Sequence, residues 1–168
     1  MAPKAPLEPS GACLGGPGAN LGDAPATLAA AFDALAELPQ SVLVARSSLW
    51  RSAPIDSTGP DYVNAVAAMD TGLSPDALLA ALLAIEADHG RTRPYRNAPR
   101  TLDLDLLLHG DTVLQTPALT LPHPRLHLRA FVLEPLAELA PELVIPGLGP
   151  LAPWRAAAAA QAVSRLAP

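Results

Sequence analysis

Apolar residues recur every three or four positions along two stretches of the chain, a spacing that predicts amphipathic helices. The first helix is predicted over residues 25–38, because Asp23 can cap it and a proline lies just inside its first turn. The second is predicted over residues 75–89, where a leucine-rich stretch ends at Gly90. An alanine-rich segment predicts a third helix over residues 152–166.

Four other segments have the composition and alternation of β-strands. They cover residues 42–52, 62–70, 101–108 and 130–133. Two of them follow one another between the first two helices, which favours antiparallel pairing. The sequence therefore predicts an α+β fold, with helices packed on one face of a mostly antiparallel sheet. A ferredoxin-like sandwich is the simplest arrangement of this kind.

Length and composition predict a single domain over residues 1–168, of which residues 1–11 form a flexible N-terminal extension. Half of the residues are hydrophobic, enough for a core of ordinary size. Cys13 is the only cysteine, so no internal disulfide is expected. No signal peptide is recognisable, and no apolar run reaches the roughly 18 residues that a membrane span needs. A cytoplasmic protein that does not enter a membrane is expected.

Positive charge is concentrated in one stretch of an otherwise acidic chain. The net charge of -5 and the 4% aromatic content argue against a nucleic-acid surface. Ten of the eleven cationic residues are arginines, and four of these lie between Arg91 and Arg100. The guanidinium group matches the geometry of phosphate oxygens with its planar fork of donors. This stretch therefore predicts contacts with phosphate groups.

Two aspartates alternate with leucines in the segment TLDLDLLL, directly after the arginines. In a strand, Asp103 and Asp105 share one face while the leucines enter the core, whereas a helix would separate the carboxylates by about 200°. Like charges about 7 Å apart repel unless a cation lies between them. Mg²⁺ bound by carboxylates and phosphate oxygens meets that need. A strand whose polar face merely meets water is the alternative.

The glycine-rich segment GGPGANLGD precedes the first predicted helix and has two interpretations. A tight turn is the commoner explanation, and a phosphate cradle is the other. The glycines and Pro17 leave the length of a first strand open. Together, the arginine-rich stretch and the two aspartates predict a magnesium-dependent enzyme that acts on a nucleotide. The alternative is a noncatalytic ferredoxin-like module that binds a nucleotide as a regulatory ligand.

Several motifs resemble, in order, the 6-hydroxymethyl-7,8-dihydropterin pyrophosphokinase family of folate biosynthesis. They are GANLGD, SSLWRSAP, PDYVNAV, IEADHGRTR, PRTLDLDLLLHG, LPHPR and RAFVLEPLAELAPEL. The resemblance implies transfer of pyrophosphate from the cosubstrate ATP to the hydroxymethyl group of the reduced pterin, leaving AMP. It also implies two magnesium ions and a ferredoxin-like fold. The expected partners are these two small molecules, and a monomer is expected.

The resemblance further implies which residues form the site. The catalytic residues are Arg91, Arg100, Asp103 and Asp105, of which the two aspartates bind both metal ions. The residues implied to contact ATP are Glu86, Arg91, Arg93, Arg100, Thr120, His123 and Arg129. The residues implied to contact the pterin are Ser52, Ala53, Pro54, Ile55, Tyr62, Asn64 and Phe131. Tyr62 and Phe131 would enclose the pterin ring between them.

Overall fold

The structure, a computed structural model, describes residues 12–19, 23–52, 61–90 and 102–166. Within these ranges the helices are α1 (Ala24–Ala36), α2 (Pro75–Gly90), α3 (Ala130–Leu139) and α4 (Leu151–Ala157). The strands there are β1 (Ala12–Ala19), β2 (Ser41–Arg46), β3 (Trp50–Ser52), β4 (Tyr62–Asn64), β5 (Ala67–Thr71), β6 (Asp103–His109), β7 (Leu114–Gln115), β8 (Thr120–Leu121), β9 (Val144–Ile145), β10 (Gly149–Pro150) and β11 (Val163–Arg165).

Antiparallel pairing joins seven of these strands into one sheet. β1 pairs with β6 on one side, and with β5 and then β4 on the other. β2 pairs with β5 and β3 with β4, so β2–β3 and β4–β5 form two long strands, each interrupted once. The spatial order is therefore β6, β1, β4–β5, β2–β3, with β11 added along β3. This order, with α1 after β1 and α2 after β5, confirms the predicted ferredoxin-like fold.

Both long strands are interrupted at the same level, beside Ser47 and Val66. The Ser47 main-chain nitrogen donates to the Val66 carbonyl at 2.9 Å, and the Val66 nitrogen donates to Ser47 Oγ at 2.8 Å. The serine hydroxyl thus replaces a main-chain acceptor and keeps a buried N–H paired where the ladder stops. The interruption separates β3 and β4 from β2 and β5.

The first two helices agree with the prediction from apolar spacing. Asp23 Oδ1 accepts a hydrogen bond from the Ala26 nitrogen at 3.1 Å and caps α1. Ser74 Oγ accepts from the Ala77 nitrogen at 3.2 Å at the start of α2. Among the described residues, no helix has both the length and the apolar character needed to cross a membrane.

Helices cover both faces of the sheet. α1 and α2 pack on one face through buried residues that include Leu28, Phe32, Leu35, Leu78 and Leu82. α3 and α4 pack on the other face through buried residues that include Val132, Leu133, Leu136 and Leu151. The prediction that helices occupy one face is therefore incomplete, because it did not include α3.

The segment 130–133 was predicted as a strand and is the first turn of α3. Its Phe-Val-Leu run has high β-propensity, but propensity is a weak preference that packing overrides. Val132, Leu133 and Leu136 are buried together on the face of the sheet that α3 and α4 cover, and their spacing suits one side of a helix. Burial of that side decides the conformation.

The helix predicted over residues 152–166 ends at Ala157 and is followed by a turn and β11. Two long-range interactions account for this. β11 pairs with the edge of β3, and the side chain of Gln161 reaches the start of α3. There Gln161 Oε1 accepts from the Ala130 nitrogen at 2.9 Å, and Nε2 donates to the Leu128 carbonyl at 2.7 Å. These contacts outweigh the helix propensity of alanine.

Candidate active site

Strand β6 presents the two aspartates on one face, as its sequence predicted. Leu104 and Leu106 on the opposite face are only 4% and 2% exposed, whereas Asp103 and Asp105 are partly exposed. A slip of one residue would bury both carboxylates, so burial of the leucines fixes the position of the aspartates. The register places Asp103 opposite Gly18 of β1.

Gly18 lies between an amide on one neighbouring strand and a carboxylate on the other. It pairs with Asn64 of β4 on one side and with Asp103 of β6 on the other. Residues directly opposite in a ladder point to the same face of the sheet. The three residues therefore form a row across three strands. Because its middle member has no side chain, the amide of Asn64 has room beside Gly18.

A cavity of about 260 Å³ lies over this row. Strands β1, β3, β4 and β6 form one side of it, and the start of α3 contributes to the other. The cavity brings together seven of the predicted site residues, which are Ser52, Tyr62, Asn64, Asp103, Asp105, Arg129 and Phe131. Residues predicted to bind the pterin and residues predicted to bind metal and ATP thus share one cavity.

The residues predicted to contact the pterin include a buried polar pair. Asn64 and Ser52 are 8% and 6% exposed, and Asn64 Nδ2 donates to Ser52 Oγ at 3.0 Å. This bond uses one of the four hydrogen-bonding positions of the amide. A Cβ atom on Gly18 would lie only 2.8 Å from Asn64 Oδ1. The amide is thus held by Ser52 and occupies space that only glycine leaves.

Two aromatic rings and one guanidinium group complete the lining. Tyr62 precedes Asn64 by two residues in β4 and lines the same cavity. Phe131 lies in the first turn of α3, and the guanidinium carbon of Arg129 is 5.4 Å from the centre of its ring. A cation at this distance is attracted to the face of the ring. Arg129 therefore places positive charge at the cavity while its guanidinium group stays in contact with the ring of Phe131.

His123 lies beside Asp105 and is held by main-chain hydrogen bonds. Its main-chain nitrogen donates to the carbonyl of Leu107 at 2.9 Å, and its Nδ1 accepts from the Arg125 nitrogen at 3.2 Å. Because Nδ1 is an acceptor, the neutral ring carries its proton on Nε2, which is 3.9 Å from Asp105 Oδ2.

The surroundings of His123 favour its neutral form. Burial lowers the pKa of His123 below its ordinary value, and this effect exceeds the opposing attraction of Asp105. The positive charges of Arg129 and Arg125 lower the pKa further. Near neutral pH, an N–H donor rather than a cation therefore faces the carboxylate.

Three of the residues predicted to contact ATP do not line the cavity. They are Glu86, Thr120 and His123. Glu86 Oε1 accepts from the main-chain nitrogen of Leu104 at 3.2 Å and so links α2 to β6. Thr120 is partly buried in β8, which pairs with β7. Several predicted residues are outside the described ranges, and their contacts stay predictions: Ala53, Pro54, Ile55, Arg91, Arg93 and Arg100.

The carboxylates suit a magnesium site that a substrate completes. Within the described parts of the chain, no group of three or more His, Cys, Asp or Glu side chains could hold a metal ion. Asp103 and Asp105 line one cavity from one face of β6. Mg²⁺ is usually bound through one or two carboxylates together with substrate phosphates. The pair of aspartates therefore fits a metal that arrives with a phosphate ligand.

Sequence reasoning missed Gly18 as a site residue. The segment around it was interpreted as a turn or a phosphate cradle, but residues 12–19 form strand β1, which is paired on both sides. A glycine inside a strand is a signal for close approach of another group. Here that group is the amide of Asn64.

Comparison with known protein sequences agrees with the family resemblance of the sequence motifs. The family described as 7,8-dihydro-6-hydroxymethylpterin-pyrophosphokinase (HPPK) matches residues 16–141. The 2-amino-4-hydroxy-6-hydroxymethyldihydropteridine pyrophosphokinase of Pseudomonas aeruginosa is 50% identical over 130 residues, which cover 77% of this chain and 80% of the relative. The protein of the same name from Synechocystis sp. is 44% identical over 153 residues, covering 89% and 78%.

Solved structures show the same fold in a longer protein. The wild-type HPPK-DHPS of Plasmodium falciparum, determined with SDX-DHP, superposes with a TM-score of 0.70 at 12% sequence identity. The match covers 87% of this chain and 44% of that chain. The chain described here thus spans less than half of the solved protein, and the likeness concerns the fold.

Proposed function

The chain belongs to the 7,8-dihydro-6-hydroxymethylpterin-pyrophosphokinase family, and we propose that its reaction takes place in the cavity over Gly18. The enzyme transfers pyrophosphate from ATP to 6-hydroxymethyl-7,8-dihydropterin, a step of folate biosynthesis. Membership of an enzyme family favours catalysis over the noncatalytic nucleotide-binding module. One observation carries the location, namely the row of Asn64, Gly18 and Asp103 in a single cavity.

In this proposal the acceptor lies flat between the aromatic rings of Tyr62 and Phe131. Stacked aromatic contacts are worth about 0.5–1.5 kcal/mol beyond the burial of apolar area. The amide of Asn64, held by Ser52 at 3.0 Å, recognises the polar edge of the pterin. A buried polar group that loses its partner is costly, so this edge contact discriminates against heterocycles with different edge groups.

Asp103 and Asp105 hold magnesium and thereby fix the position of the ATP phosphates. Bound magnesium would neutralise negative charge on the triphosphate, and we propose that two ions bind. The pterin hydroxyl oxygen then forms a bond to the β-phosphorus of ATP, and its O–H bond breaks with the proton passing to solvent. The bond between that phosphorus and the oxygen bridging it to the α-phosphate breaks, which leaves AMP.

The other ATP contacts are proposed in part on charge and proximity and in part on the family resemblance. Arg129 lines the cavity, and the neutral ring of His123 can donate from Nε2 to a phosphate oxygen near Asp105. Guanidinium contacts from Arg91, Arg93 and Arg100 and contacts from Glu86 and Thr120 are proposed from the family resemblance. The cytoplasmic location and the monomeric state are proposals of the same kind.

Conservative replacement of the two aspartates tests the location of the reaction. Asp103→Asn and Asp105→Asn keep the side-chain shape but remove the charge that binds the metal, so each should lower pterin-dependent release of AMP by at least about 100-fold. Asp111→Asn is the matched control, because Asp111 is exposed in the turn after β6 and loses the same charge. Near-normal turnover of both site variants at saturating magnesium would place the reaction elsewhere.

A further inference from the structure

The side chain of Glu138 fastens helix α3 to the connection between β2 and β3. Its Oε2 accepts from the main-chain nitrogen of Ser48 at 2.7 Å and from the Ser48 hydroxyl at 2.9 Å. Its Oε1 accepts from the indole nitrogen of Trp50 at 3.1 Å. Hydrogen bonds to a carboxylate are roughly twice as strong as those between neutral groups. One side chain therefore joins two elements that are far apart in the sequence.

The two elements joined by Glu138 carry groups on different sides of the proposed acceptor site. α3 places Phe131 in the cavity lining, seven residues before Glu138. β3 begins at Trp50 and ends at Ser52, whose hydroxyl accepts from the amide of Asn64. The carboxylate thus links the aromatic side of the acceptor site to its hydrogen-bonding side.

We propose that Glu138 is a positioning residue for the pterin. It sets the distance between Phe131 and the Ser52–Asn64 pair. Stacking depends steeply on distance, because a gap of 0.5–1 Å already forfeits about a quarter to a half of the dispersion attraction. Strand β6, which carries the two aspartates, pairs with β1 and makes none of these three bonds. Loss of the link should therefore weaken binding of the pterin much more than binding of ATP. This inference rests on the proposed function.

The three donors also explain why a carboxylate is suited to this position. A glutamine has the same shape but only one acceptor oxygen, and its amide nitrogen is a donor. In Glu138→Gln, that nitrogen would face either the indole N–H of Trp50 or the donors of Ser48. Either orientation places a donor against a donor and loosens the link without removing side-chain volume.

The test compares Glu138→Gln with Glu134→Gln on the same helix. Glu134 is the matched control, because it lies on the same helix and its carboxylate accepts hydrogen bonds from Arg155 of α4 at 3.0 and 2.8 Å. Steady-state kinetics give KM for the pterin and kcat, and ATP affinity is measured separately. Thermal unfolding of both variants reports stability. We expect Glu138→Gln to raise the pterin KM about five- to tenfold, the scale of one ordinary net hydrogen bond, because the bonds of Glu138 are exposed to solvent.

The ATP affinity of Glu138→Gln should fall less than its pterin affinity, because both aspartates lie on β6 and only Arg129, at the start of α3, is a proposed phosphate contact on the loosened helix. The pterin KM and the ATP affinity of Glu134→Gln should both stay within about twofold of wild type. An unchanged pterin KM in Glu138→Gln, or an equal rise in Glu134→Gln, would overturn the inference. Trp50→Phe provides a second variant if Glu138→Gln does not fold. It removes the indole N–H donor to Glu138 while leaving a smaller aromatic ring, and it should also raise the pterin KM. An unchanged KM there also counts against the link.

The outcomes separate this inference from the proposed function. Wild-type protein that forms no AMP with the pterin would contradict the proposed function itself. Normal wild-type turnover together with an unchanged pterin KM in the Glu138 variant contradicts only the positioning role.

Discussion

Replacement of Gly18 by alanine should weaken pterin binding while leaving ATP binding largely intact. A Cβ atom at this position would lie 2.8 Å from Asn64 Oδ1, which is closer than Cβ atoms approach non-bonded heavy atoms in proteins. The next nearest atoms, Asn64 Cγ and the Val63 carbonyl oxygen, are both 3.8 Å away. The whole steric conflict therefore falls on the side-chain amide that is proposed to recognise the pterin edge.

The size of the effect follows from how far the amide must move. Asn64 Oδ1 has to shift by about 0.6 Å to reach an ordinary contact distance of 3.4 Å from the new methyl group. The shift strains the 3.0 Å bond to Ser52 and misplaces the amide for the ligand. A buried polar group left without its partner costs about 1–3 kcal/mol. Because about 1.4 kcal/mol is a factor of ten, pterin affinity should fall about 5- to 140-fold.

Calorimetric titration measures this loss. The reduced pterin is titrated into protein that holds magnesium and a nonhydrolysable ATP analogue, and binding of the analogue is measured separately. Gly72→Ala is the control, because a Cβ atom there would meet its nearest neighbour, Gln40 Oε1, at an ordinary 3.5 Å. Wild-type pterin affinity in Gly18→Ala, or equal losses in the two alanine variants, would refute the reasoning from the crowded amide.

Three further outcomes are expected. Phe131→Ala should weaken pterin binding by on the order of 1 kcal/mol or more and spare ATP, and unchanged affinity in the same titration would exclude stacking on this ring. The pKa of His123, followed by NMR in protein free of divalent ions, should lie below 6.5 because burial outweighs Asp105. Unfolding free energy should accordingly fall as the pH drops from 6.5 towards that pKa, and His123→Gln should reduce the slope; a pKa above 6.5 would reverse the sign. Ser47→Ala should lower the unfolding free energy by about 1–3 kcal/mol in urea, since the buried N–H of Val66 loses its acceptor, and a loss near zero would contradict that role.

Local patterns were enough to predict the elements whose conformation is decided by their own burial. α1 and α2 have caps and apolar spacing that agree with each other, so tertiary contacts reinforce the local preference. The same holds for β6, where buried Leu104 and Leu106 leave Asp103 and Asp105 on the cavity face. The family motifs then named seven residues that the structure places in one cavity.

The features that were missed depend on contacts between distant parts of the chain. α3 takes its conformation from burial of its apolar side against the sheet, and α4 stops early because β11 pairs with β3. The need for glycine at position 18 arises only because the amide of Asn64 lies on the neighbouring strand. The bonds of Glu138 to Ser48 and Trp50 likewise join residues 90 and 88 positions apart. No local pattern contains these partners.

The fate of the ATP phosphates tests pyrophosphoryl transfer most directly. Wild-type protein is mixed with ATP, magnesium and 6-hydroxymethyl-7,8-dihydropterin, and the products are identified by ³¹P NMR and chromatography. AMP should form only when the pterin is present, in equal amount to a pterin that carries two linked phosphorus atoms. ADP together with a pterin monophosphate, or AMP release that does not depend on the pterin, would contradict transfer of pyrophosphate in one step.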